Sequence, residues 1–121
     1  MRYLMLFRPA DTARMESGTP PSAELMATMG ELVQRKFAEG KLLSTEGCAA
    51  TSKGALVSLT NGKLGITDGP FAEAKEIIGG FALFQLKSKQ EAIAEAREFL
   101  EIAGDGTVEI RLIHDQPVCH D

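Results

Sequence analysis

Two cysteines in 121 residues are too few for a disulfide framework, so a reducing, cytoplasmic setting is the default expectation. A basic run is also missing. Thirteen Lys and Arg stand against seventeen Asp and Glu, a net charge of −4 that argues against a grip on a nucleic-acid backbone. The longest apolar runs fall far short of a bilayer span, and no signal segment precedes the first strand-like stretch, so no membrane role is expected. Phosphate loop, dinucleotide fingerprint and zinc spacing are all missing, and neither a cofactor nor a metal is expected. Both histidines come late, at His114 and His120. Cys119, His120 and Asp121 are ligand types, but three consecutive side chains cannot all turn to one ion; residues 114–121 read as a polar, frayed tail. Cys48 has no histidine in the body of the chain to activate it as a nucleophile.

What remains is a chain of ordinary composition, 44% hydrophobic and 25% charged, with the size of one domain over residues 1–113. Arg2 to Phe7 is a short run of strand formers stopped by Pro9. Residues 9–21 read as a long loop. Ser22 is a helix N-cap, and Leu25, Met29, Leu32, Val33 and Phe37 make an apolar stripe that Gly40 ends. Leu42 to Gly47 reads as a second strand. Ala55 to Thr60 and Lys63 to Thr67 flank Asn61-Gly62, the signature of a type I′ hairpin turn. Counting outward pairs Leu59 with Leu64 and Val57 with Ile66, four apolar residues on one face. Asp68-Gly69-Pro70 is a turn, and Phe71 to Ile77 is short, charged and compatible with one helical turn. Phe81 to Leu86 is a strand; Ser88 with Glu91 forms a capping box that opens a second helix, closed by Gly104. Thr107 to Ile113 is the last strand.

Without the hairpin the order is βαββαβ, an α+β, ferredoxin-like unit. Two helices cover one face of such a sheet. Yet the first strand is apolar on both sides, with Tyr3, Met5 and Phe7 on one and Leu4 and Leu6 on the other. The economical cover for the second face is another copy of the chain; a ligand lying against that face is the other solution.

Thr67-Asp68-Gly69-Pro70-Phe71-Ala72-Glu73-Ala74-Lys75-Glu76 closely resembles the signature of the YCII-related, or DGPF-domain, family. Ser52-Lys53-Gly54-Ala55, Gly80-Phe81, Lys87-Ser88-Lys89 with Glu91-Ala92, and Val108-Glu109-Ile110-Arg111 are similar to other stretches of that family. The resemblance runs from residue 1 to about residue 113. It implies a homodimeric α/β barrel of ferredoxin-like units in small bacterial proteins, some encoded near extracytoplasmic-function sigma factors, with no settled activity. Two departures stand out. The His–Asp pair of some members is not carried over, because residues 22–39 contain no His. Ile102 to Gly106 replaces the Cys-Pro segment found in others.

The residues best able to carry chemistry crowd the signature loop. Asp68 is the candidate general base, with Phe71, Glu73 and Lys75 as ligand contacts; an Asp-Gly-Pro turn explains Asp68 structurally as well. In the last strand Glu109 and Arg111 alternate away from Val108, Ile110 and Leu112. They either line a pocket or form a salt-bridge element between subunits. The expected arrangement puts Asp68 and Arg111 on one cleft that holds a small, anionic organic molecule. Whether that molecule is turned over stays open at this level. The alternative is a regulatory module that docks a protein partner such as a sigma factor.

Overall fold

The computed structural model describes residues 1–71 and 77–114. β1 (Arg2–Pro9) is followed by a short helix, α1 (Thr12–Glu16), and a long one, α2 (Ala23–Ala38). Next come β2 (Leu42–Gly47), a 3-10 turn (Thr51–Lys53), β3 (Ala55–Thr60) and β4 (Lys63–Asp68). β5 (Gly80–Gln85), α3 (Lys89–Ala103) and β6 (Gly106–Leu112) are the last elements among the described residues. Four strands form one antiparallel sheet in the order β2-β5-β1-β6, and β3 and β4 form a separate two-stranded sheet. The four-stranded order is that of the ferredoxin-like unit, with the hairpin as an insertion between its second and third strands.

Local chemistry explains the helix boundaries. The Ser22 hydroxyl accepts from the Leu25 amide, and the Ser88 hydroxyl accepts from the Glu91 amide, each satisfying one orphan donor of a first turn. Gly40 and Gly104, with φ of 75° and 99°, follow the last turns. The hairpin turn is left-handed at both central residues, Asn61 at 52° and Gly62 at 79°, and the pairing is Val57 with Ile66 and Leu59 with Leu64.

The core lies between the sheet and the two long helices. Tyr3, Met5, Leu42, Phe84 and Leu86 meet Ala92 and Ala96, whose small side chains let α3 settle close to the sheet. Phe7 and Phe99 meet edge to face at 4.9 Å. The register aligns Leu4 with Leu83 and Arg111, and Leu6 with Phe81 and Glu109. Side chains alternate along a strand, so these residues share the helix-free face.

Three expectations need correction. Residues 9–21 are not all loop: Asp11 accepts from the Arg14 amide and nucleates α1. Phe37 is not on the buried stripe of α2; it is exposed, and Lys36 is buried in that position. Ion pairs with α3 allow the exchange, because a buried ammonium is tolerable only when it is paired. Leu112, on the helix side of β6, is exposed. The readings made for Phe71 to Ile77 and for the tail fall largely outside the described residues.

Candidate functional site

A cavity of about 230 Å³ lies between the sheet and the two long helices. Met5 and Phe7 of β1, Met29 and Leu32 of α2, Phe84 of β5 and Phe99 of α3 give it an apolar lining. A bulge between Leu42 and Ser44 breaks the ladder of β2 beside it. A partly open apolar space of this volume is large enough for a molecule of one or two rings. Two charged side chains, Lys36 and Glu95, also line it.

Those two residues are only 6% and 7% exposed. Lys36 Nζ lies 2.9 Å from Glu95 and 3.0 Å from Glu98, and Lys41 reaches Glu95 at 3.5 Å from the other side. Arg35 bonds Glu98 at 2.6 Å, so the cluster ties α2 to α3. Burial pushes the Lys36 ammonium down, but its hydrogen bonds to Glu95 and Glu98 outweigh that cost and raise its pKa. The Arg35 hydrogen bond, and then that from Lys36, lowers the pKa of Glu98. The sequence carried a signal here that the apolar reading passed over: Lys36 follows Leu32 by four residues and Val33 by three, on the buried stripe.

The cavity leads outward. It shares Phe7, Gly47 and Gly79 with a wider depression of about 1,020 Å³ under the 9–21 segment, walled by Asp11, Arg14 and Met15 among others. That depression shares Cys48, Ala49, Ala50 and Lys53 with a third, of about 570 Å³, which Phe71, Ile77 and Ile78 also line. Adjoining hollows that share lining residues thus run from the core toward Phe71 of the signature loop.

One residue holds the three segments around this path together. The Thr51 hydroxyl donates to Glu16 at the end of α1, the Thr51 amide donates to the same carboxylate at 2.9 Å, and the Phe71 amide donates to the Thr51 hydroxyl at 3.1 Å. The Thr51 hydroxyl bond, and then the Thr51 amide bond, holds Glu16 below the usual carboxylate range. Gly69 presses on the same turn. A Cβ built there would lie 1.7 Å from the Thr51 carbonyl oxygen, so glycine is required by proximity. The Gly69–Pro70 peptide that follows is cis.

The residues expected from sequence occupy several places. Asp68 ends β4 opposite Ala55, with its side chain exposed. Phe71 lines the third hollow. Glu109 and Arg111 lie on the helix-free face of the larger sheet. Glu109 bridges Arg111 at 3.2 Å and Arg8 at 3.0 Å, and these bonds, Arg111's first, lower its pKa. Asp68 and Arg111 therefore stand on different sheets, and neither lines the hollows just described. Glu73 and Lys75 lie outside the described residues. Glu16, Thr51, Lys36 and Glu95 had not been singled out from sequence.

Fold and site together define a small ferredoxin-like α+β protein with an apolar cavity beneath its helices. The chain belongs to the YCII-related family: the YCII-related domain model matches residues 1–116. It is also 37% identical over 81 residues to "Uncharacterized protein R00369" of Rhizobium meliloti (strain 1021), a stretch that covers 65% of each chain. Among the described residues, no helix is long and apolar enough to cross a membrane.

Proposed function

We propose that this chain binds a small, largely apolar organic molecule between its helices and its sheet, and that it does so as a homodimer. The observation that carries the ligand reading is the 230 Å³ cavity with its aromatic and methionine lining and a charged pair in its wall. A polar group on the ligand would meet Lys36 and Glu95 inside, or Arg14 and Lys53 along the outer hollows. In this reading Phe71 belongs to the path's outer wall, and Asp68, Glu73 and Lys75 are candidates for the ligand's polar end or for proton transfer. The dimer reading rests on the helix-free face, where Leu4, Leu6, Phe81 and Leu83 share one surface. Glu109 and Arg111 then become an ion-pair element at the rim of the subunit interface.

The test is a ligand-observed NMR screen of one- and two-ring fragments, with and without a carboxylate, against the chain and a Val33→Phe variant. Val33 lines the cavity, and the larger ring fills part of it. Fragments that bind the native chain and are lost from a folded Val33→Phe protein support the reading. No binder, or equal binding by both proteins, overturns it. A second reading, a non-enzymatic interaction module, is favoured by one observation: the exposed apolar face of the hairpin. A screen without binders leaves that reading as the better one.

A further inference from the structure

The hairpin stands off from the body. Among the described residues β3 and β4 pair only with each other, and their contact with the four-stranded layer and its helices is marginal. One face nevertheless carries Val57, Leu59, Leu64 and Ile66, exposed at 66%, 71%, 68% and 66%. The Gly69 amide donates to the Gly54 carbonyl at 3.1 Å, extending the hairpin's own ladder, and the base is tied to the body through Thr51, which accepts from the Phe71 amide and donates to Glu16 of α1. A two-stranded ribbon with an uncovered apolar face is marginal in water. Here it is held out in a set direction.

We propose that this face is covered by a second copy of the chain, each hairpin acting as an arm that grips its partner across a two-fold axis. The inference rests on the dimer proposed above and assigns the arms to it. Area is the first argument. A specific interface needs at least about 1,000 Å² in total. Leu4, Leu6, Phe81 and Leu83 on the helix-free face are each already partly buried within one chain, so they have little left to contribute. Four exposed aliphatic side chains offer on the order of 100 Å² each, and two arms together roughly 800 Å². The arms bring the interface into the stable range.

Charge is the second argument. The chain carries −4, so a second copy meets a net repulsion that a stretch without carboxylates avoids. No Asp or Glu falls between Glu46 and Asp68, the longest stretch without a carboxylate, and it contains Lys53 and Lys63. The arm is the part of this acidic chain best able to approach an acidic copy. A C2 arrangement covers both arms with one kind of contact.

Equal amounts of 14N- and 15N-labelled chain, mixed, unfolded and refolded together, would be treated with an amine cross-linker. Lys63 is the hairpin's own lysine. Heavy–light pairs that join Lys63 to lysines of the body are expected; exclusively heavy–heavy and light–light pairs overturn the arm. In parallel, Leu59→Lys with Leu64→Glu replaces a directly opposed apolar pair by an attractive charged one, which preserves the hairpin while removing its apolar face. The dimer dissociation constant is expected to rise at least 100-fold, with the far-ultraviolet circular dichroism retained. A dimer indifferent to this variant overturns the arm and leaves the sheet-face assembly standing. A native chain that sediments as a monomer overturns both. If the double variant fails to fold, the isotope pairing alone decides.

Discussion

Gly69 is the residue whose chemistry is least replaceable. The atoms a side chain would strike there are Thr51 backbone, which cannot swing aside. Gly69→Ala is expected to cost more than the roughly 1–3 kcal/mol of ordinary overpacking and to lower the thermal midpoint by many degrees. Gly54→Ala is the control, because its Cβ would meet the same oxygen at an ordinary 3.8 Å. Equal midpoints for the two variants would show that the contact is slack. Titration of single carboxylates makes a second prediction. Glu16, Glu98 and Glu109 all have pKa values lowered from 4.5 in the folded chain, by Thr51, Arg35 and Arg111 respectively as the largest cause. A depressed carboxylate stabilises the fold above its unfolded pKa and loses that contribution as pH falls through its folded pKa. The urea midpoint should therefore fall below about pH 4.5, and Glu16→Gln should flatten part of that fall. A midpoint unchanged down to pH 3 would contradict the assigned bonds.

Between elements, the decisive contact is the charged seam of α2 and α3. Lys36 pairs with three carboxylates, Glu39, Glu95 and Glu98, and removing it leaves the buried Glu95 with Lys41 alone, at 3.5 Å. Lys36→Met is expected to destabilise by about 3–5 kcal/mol, while Lys36→Met combined with Glu95→Leu recovers much of the loss. A double-mutant cycle by urea unfolding measures this, and additive losses would show that the pair does not act as a unit. The Lys36 pKa is raised, so its contribution is complete below the ordinary value of 10.5 and is lost only as pH climbs past the folded value. Acid and base therefore weaken the seam through different residues: Glu98 below and Lys36 above.

At the level of the assembled protein, two uncovered surfaces call for one explanation. The helix-free sheet face carries Leu4, Leu6, Phe81 and Leu83 beside the Glu109–Arg111 pair, the hairpin face carries four exposed aliphatic residues, and the proposed two-fold pair would cover both. Sedimentation at micromolar concentration should give twice the 13.0 kDa chain mass. A Leu83→Glu substitution should shift it toward the single-chain mass, because in the proposed dimer it would put a carboxylate among Leu4, Leu6 and Phe81 at the cost of its desolvation. A stable Leu83→Glu dimer would move the interface away from this sheet. The ligand reading and the assembly are separable, since the cavity lies on the opposite, helix-covered side of the same sheet.

Periodicity and capping were sufficient to read the strands, both long helices, the hairpin register and the ferredoxin-like order from the chain alone. These features are local: Ser22 and Ser88 cap their own first turns, Asn61-Gly62 supplies its own positive φ values, and alternation decides which side of β1 faces the helices. The signature loop was also legible as a motif, together with the family it marks. The site was less so. Lys36 looks like a surface lysine until Glu95, 59 residues later, lies beside it. Gly69 looks like a turn glycine until Thr51 arrives against it. Asp11 nucleates a short helix inside what composition marks as loop. Whether Asp68 and Arg111 meet depends on how two sheets sit in space, and the structure puts them on separate ones. Short-range geometry follows from neighbouring residues; a buried ion pair, a cavity or a close backbone approach joins distant ones, and exists only once the chain has packed.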